Sequence, residues 1–138
     1  MSNTFNLEVV TPGGKVFAGQ AEELIAPGTL GEFGILPGHI SFLSSLDAGP
    51  MIVSDGSSKD YYVVYGGFCE VRADKVVVLA DRVEKASDLS QSEAEEALGD
   101  ANARLAEAGS DKDAYEKALR EVGDARARLI TLARMNAH

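Results

Sequence analysis

The spacing of apolar residues changes once along this 138-residue chain, between residues 86 and 90, and that switch dictates two kinds of structure. Before it, apolar residues alternate or come in short runs. Phe5, Leu7 and Val9 alternate with Asn6 and Glu8, the period of a strand with one buried face. Thr11-Pro12-Gly13-Gly14 is a turn, with proline presetting φ and glycine accepting positive φ. Val16-Phe17, Glu22 to Ala26, Met51-Ile52-Val53, Tyr61 to Tyr65, Phe68 to Arg72 and Val76 to Ala80 read as further strands. Ser54-Asp55-Gly56-Ser57-Ser58 and Ala73-Asp74-Lys75 are turns, and Gly66-Gly67 reads as a break. Eleven of the fourteen glycines and all four prolines fall in this part. Many short strands punctuated in this way predict an all-β sandwich of about ten strands over residues 1–86.

From Ser90 the period is helical. Ala94, Ala97, Leu98, Ala101 and Leu105 follow one helix face, and Ser90-Gln91-Ser92-Glu93 has the form of a capping box. Gly109 is placed to end this helix, and Ser110 or Asp111 to cap the next. Tyr115, Leu119, Val122, Leu129 and Leu132 form the stripe of the second helix. The expected fold is therefore a β-sandwich followed by an antiparallel helical hairpin over residues 87–138. Both stripes are weak. Alanine buries far less apolar surface than leucine, at about 0.8 kcal/mol per methylene, and Gly99 and Gly123 each cost about 1 kcal/mol in a helix interior. Period alone fits either a helical cap or a loosely held, moving element.

Composition narrows the function. The formal charge is −9, which argues against binding a phosphate backbone or adsorbing to anionic lipid. No apolar run is long enough to insert into a bilayer. The start, Met-Ser-Asn-Thr-Phe-Asn, has neither a secretory nor a transit-peptide character, so a cytoplasm-facing protein is expected. A single cysteine, Cys69, beside Phe68 reads as a small core residue. Two histidines, His39 and His138, do not make a metal site, and no nucleophile or acid–base pair has a positioning rationale. No cofactor is expected, and neither Gly13-Gly14-Lys15 nor Gly31-Glu32-Phe33-Gly34 has the spacing of a phosphate loop.

Gly31-Glu32-Phe33-Gly34-Ile35-Leu36-Pro37-Gly38-His39 closely resembles the hallmark loop of F-type ATP synthase epsilon subunits of bacterial and chloroplast type. Leu7 to Pro12, Val16 to Gly19, Ser45 to Met51, Gly66 to Val71 and Val76 to Asp81 resemble that family's other strands and turns, in the same order. The resemblance implies a non-catalytic rotor subunit of a proton-translocating synthase, peripheral on the cytoplasmic face of the bacterial plasma membrane. Its sandwich would bind the gamma subunit and the polar loops of the membrane c-ring. Its helices would fold on the sandwich or extend into the alpha/beta hexamer and suppress ATP hydrolysis. On this basis Glu32 and His39 are candidate ring contacts, and Thr11, Ile40, Phe42 and Leu43 candidate gamma contacts.

The hairpin's charge is polarised. Residues 90–107 carry five acids against Arg104, whereas the last 13 residues carry Arg126, Arg128 and Arg134 and no acid. Cations near a helix C-terminus favour the macrodipole by a few tenths to about 1 kcal/mol. The functional reading is that this basic end meets an acidic surface in the inhibitory state. A helix of about 24 residues reaches about 36 Å. Some related subunits bind ATP through Ile/Leu-Asp-x-x-Arg-Ala. Here the aligned residues are Leu89-Ser90-Gln91-Ser92-Glu93-Ala94, with Ser90 for the aspartate and Glu93 for the arginine. A carboxylate in place of a phosphate-pairing cation repels, so ATP affinity weaker than about millimolar is expected. The alternatives to the rotor reading are a free-standing binding module and, least favoured, an enzyme.

Overall fold

The computed structural model describes residues 3–137. Eight strands are followed by two helices: β1 Phe5–Thr11, β2 Gly14–Ala21, β3 Glu23–Gly28, β4 Gly31–Ile35, β5 Phe42–Ser54, β6 Lys59–Val71, β7 Lys75–Ala80 and β8 Val83–Lys85, then α1 Gln91–Glu107 and α2 Lys112–Asn136. Their order is β2-β1-β7-β6-β5-β3-β4, with β8 added to β6. All pairs are antiparallel except β1 with β7.

Two long strands make this one sheet into a sandwich. β6 pairs with β7 through residues 67–71 and with β8 through residues 62–64. It is therefore a member of both layers, as is its partner β5. The chain folds over at Gly66-Gly67, where φ is +90° and +126°. A Cβ on Gly67 would lie 2.1 Å from the Leu79 carbonyl oxygen, so only glycine fits this corner. The expected break at Gly66-Gly67 is thus a bend inside one continuous strand. This merging of neighbouring segments gives eight strands where about ten were expected. Between the layers lie Leu7 and Val9 of β1, Val76 and Val78 of β7, Leu24 and Ala26 of β3, and Met51 and Val53 of β5. Cys69 is buried among them, and burial pushes its thiol pKa up to about 12, as befits an inert core side chain.

The helices form where capping and period place them. The Ser90 side chain accepts from Glu93 N at 3.2 Å, and Asp111 from Ala114 N at 3.1 Å. Gly109, at φ +57°, supplies the left-handed residue between the helices. α2 packs on α1 and also on β5 and β6, so the hairpin is folded against the sandwich. That double contact corrects the expected stripe of α2. Tyr115 and Leu119 are exposed, and the buried positions are Ala118, Val122, Ala125, Ala127, Thr131 and Leu132. Ala125 and Ala127 point about 200° apart, which requires a helix covered on two sides. Small residues let it approach both. Near its end, Met135 packs with Ile25 on Ile52, Tyr61 and Ala86.

Candidate functional site: the sandwich faces and the folded hairpin

Three surfaces carry the residues singled out from the sequence. The first is the outer face of the β2-β1-β7-β6 layer. Cross-strand register aligns Val10, Leu79, Phe68 and Ser45 in one row, and Glu8, Val77, Glu70 and Leu43 in the next. On a pleated strand these rows share a face opposite the core. Leu79 is 51% exposed, Phe68 52% and Leu43 67%, and Ile40 just before β5 is 80% exposed. Carboxylates alternate with the apolar side chains of the second row: Glu8 pairs with Lys75 at 2.5 Å and Glu70 with Arg72 at 2.8 Å. Ile40 and Leu43, picked out from the sequence, belong to this exposed apolar set. Phe42 points the other way. It packs on the core and meets Phe33 edge-on at 5.4 Å. Thr11 holds the β1–β2 turn, accepting from Gly13 N at 3.2 Å. Phe68 and Leu79 were missed as surface candidates, although strand parity marks Leu79 as outward between buried Val78 and Ala80.

The second surface is the β3–β4 hairpin and the turn after it. Glu32 lies in a short edge strand rather than in a loop. Gly28 permits the tight pairing, since a Cβ there would meet Gly31 O at 2.7 Å and the Phe33 ring at 2.9 Å. His39 accepts from Leu36 N through Nδ1 at 3.3 Å, and its ring lies 5.9 Å from Phe42. It fastens the Pro37-Gly38 turn.

The third is the contact between α2 and the sandwich. Arg128 Nε donates to Glu84 Oε1 at 3.2 Å, and the Tyr65 hydroxyl donates to the same oxygen. Arg82 stacks over the Tyr65 ring at 3.9 Å and reaches Asp124 at 3.6 Å. Burial opposes the charge on Glu84, but the hydrogen bonds from Tyr65 and Arg128 outweigh it and hold the carboxyl below its ordinary range. Burial, and then the bond to Glu84, push the Tyr65 phenol well above its usual value. Asp124 is raised, mainly by burial, against the pull of Arg82 and Arg128. At the end of the helix Arg134 Nη1 donates to Glu32 Oε2 at 2.5 Å. Two of the three arginines of the basic end are thus bonded to the sandwich, and Arg126 is exposed.

Between these elements a cavity of about 340 Å³ is lined by Glu84, Asp88, Leu89, Ser90, Glu93, Ala94, Ala97 and Arg128. Ser90 and Glu93, the substituted motif residues, both face it. Three carboxylates line it against one guanidinium, an arrangement suited to repelling a polyphosphate.

The β-sandwich region, residues 4–86, matches the profile of the ATP synthase delta/epsilon chain β-sandwich domain. The ATP synthase epsilon chain of Chromohalobacter salexigens is 39% identical over 133 residues, covering 96% of this chain and 94% of that one. This chain belongs to the ATP synthase epsilon-chain family. The epsilon chains of Acidithiobacillus ferridurans and Prochlorococcus marinus are each 38% identical, over 98% and 91% of this chain and 95% and 96% of their own. Family members are non-catalytic subunits of ATP synthases, and this chain is one of them. The fold recurs in a chain from the cryo-EM structure of the Euglena gracilis mitochondrial ATP synthase with its c-ring, at TM-score 0.82 and 18% identity, covering 100% of this chain and 84% of that one. It recurs also in a chain from the Tetrahymena thermophila mitochondrial ATP synthase central stalk and c-ring, at TM-score 0.59 and 13% identity, covering 95% of both. Among the described residues no helix is long and apolar enough to cross a membrane.

Proposed function

We propose that this epsilon-family chain is a central-stalk rotor subunit whose sandwich, residues 1–86, binds the gamma subunit through the apolar outer sheet face. The observation that carries the reading is the pair Leu79–Phe68, with half-buried Val10 in the same row and Leu43 and Ile40 beside it: large apolar side chains left exposed at positions where an unpartnered sheet would be polar. Thr11 shapes the turn at the end of β1, and Phe42 supports the segment that presents Ile40. Glu32 and His39, on the β3–β4 hairpin and the turn after it, belong to the end of the sandwich that faces the polar loops of the c-ring. The whole assembly then sits peripherally, on the cytoplasmic face of a bacterial plasma membrane.

The hairpin, residues 87–138, is the regulatory element of this reading. Its folded position is held by small buried residues and by a few charged contacts, a combination suited to release. Once released, Arg126, Arg128 and Arg134 form a basic end that fits an acidic surface of the alpha/beta hexamer, where the helix would obstruct rotation and ATP hydrolysis. The acid-lined cavity supports regulation without ATP bound to this subunit. Truncation after residue 87, in a reconstituted synthase, separates the two halves of the proposal. The truncated head is expected to remain with gamma while ATP hydrolysis rises. Loss of the head from the complex contradicts the gamma assignment, and unchanged hydrolysis with the head retained contradicts the inhibitory one.

A further inference from the structure

Glu32 joins two functional assignments that the sequence kept apart. It lies on the edge strand β4, beside the β3–β4 turn where Leu30 is fully exposed. Its carboxylate accepts from Arg134 of α2 at 2.5 Å, yet its side chain remains 44% exposed. We propose that Glu32 is a shared acceptor: the folded hairpin holds it through Arg134, and a cationic group on the polar loop of the c-ring competes for it, so that ring engagement loosens the end of α2. The proposal rests on the reading of Glu32 as ring-facing and adds a linkage between ring and hairpin.

The competition follows from the chemistry of one carboxylate. A guanidinium that docks in fork geometry uses both oxygens, one of which Arg134 occupies. Two cations on a single carboxylate also repel each other. Whichever cation gains Glu32 therefore weakens the other's hold. Arg134 precedes Met135, which packs against the Ile52, Tyr61 and Ala86 cluster, so its release acts on the last apolar contact of the helix. Arg128 and Glu84 lie six residues earlier on α2 and on a different strand, and their bond does not involve Glu32. Loosening therefore starts at the C-terminal turns. Linkage is reciprocal, so a closed hairpin disfavours ring docking by the same factor.

Amide hydrogen exchange of the last two turns of α2 tests this, comparing the ring-free assembly of alpha, beta, gamma and this chain with the complete synthase. In the wild type, exchange is expected to be about two- to fivefold faster in the complete synthase, the scale of an exposed ion pair. Arg134→Gln should exchange fast in both assemblies and lose the ring-dependent step. Arg128→Gln loosens the hairpin by another contact and should keep that step. Equal exchange of the wild type in both assemblies, or a ring-dependent step retained in Arg134→Gln, overturns the proposal. A Glu32→Cys variant distinguishes the two levels of failure. A cross-link from position 32 to the ring loop without the exchange step sinks the competition and leaves the ring contact standing. Absence of the cross-link sinks both.

Discussion

Arg128 of α2 and Glu84 of β8 meet at 3.2 Å across 44 residues of sequence, and the Tyr65 hydroxyl closes on the same carboxylate oxygen. This bond fastens the helical hairpin to the sandwich at its middle, as Arg134 and Glu32 do at its end. Both arginines belong to the basic end that the proposed inhibitory state would use. In the folded state their charge is committed to the sandwich, so closure withholds the groups on which the extended state depends.

Breaking the central bond should loosen the hairpin without unfolding the sandwich. Arg128→Gln or Tyr65→Phe is expected to cost about 1 kcal/mol of docking, because the groups are only partly buried and the partner left behind is still reached by water. Amide exchange along α2 in the full-length chain would show it as faster exchange, with β1 and β7 unchanged.

The same cluster gives docking a pH dependence whose sign is fixed. Glu84 has a lowered folded pKa, so its contribution is fully present above the ordinary carboxyl value of 4.5 and is lost as pH falls through the depressed folded value. Asp124 acts oppositely. Its folded pKa is raised above 3.8, so protonation in this range favours the folded state. Hairpin docking, followed by fluorescence between labels on α2 and β6, should weaken below about pH 4.5. Glu84→Gln should flatten that acid loss, and Asp124→Asn should steepen it.

Gly99 and Gly123 are free to change. A Cβ at either meets nothing within 4 Å. Alanine at each should stabilise its helix by about 1 kcal/mol. Neither added methyl touches the sandwich, so the gain should appear in denaturant unfolding of the hairpin while the docking equilibrium moves little. A large shift in docking would show that these glycines serve release.

Nucleotide should not bind between hairpin and sandwich. Isothermal titration of the full-length chain with ATP is expected to show no sub-millimolar affinity, because Glu84, Asp88 and Glu93 line the cavity against Arg128 alone. Ser90→Asp combined with Glu93→Arg rebuilds the motif residues of ATP-binding relatives and should create measurable binding.

How much of this was legible in the sequence depended on the range of the interactions. The alternation of Leu7 and Val9 and the apolar run from Val76 to Ala80 have local causes, and both strands form as read. The caps at Ser90 and Asp111 are local too. Gly66-Gly67 misled because a glycine pair marks a sharp bend as readily as a strand end, and only the crossing of β6 between layers decides. Tyr115 and Leu119 misled because a one-face period assumes one neighbour, whereas α2 has two. The surface set was half legible. Ile40 and Leu43 were found through the family resemblance, but Phe68 and Leu79 join them only through register across three strands. No local signal pairs Glu32 with Arg134, since 102 residues separate them.

The central claim is that the outer sheet face carrying exposed Leu79, Phe68, Leu43 and Ile40 is a docking face for gamma. Its most direct test is the affinity of the full-length chain for the gamma subunit of the same synthase, measured for the wild type and for Phe68→Asp. Phe68 is half exposed, so the substitution should leave the fold intact, which the unfolding midpoint would verify. The account predicts a one-to-one complex, weakened at least about tenfold by the buried charge that replaces an apolar side chain worth about 1.5–3 kcal/mol. A wild-type chain that does not bind gamma, or a Phe68→Asp variant that binds it equally well, would contradict the account.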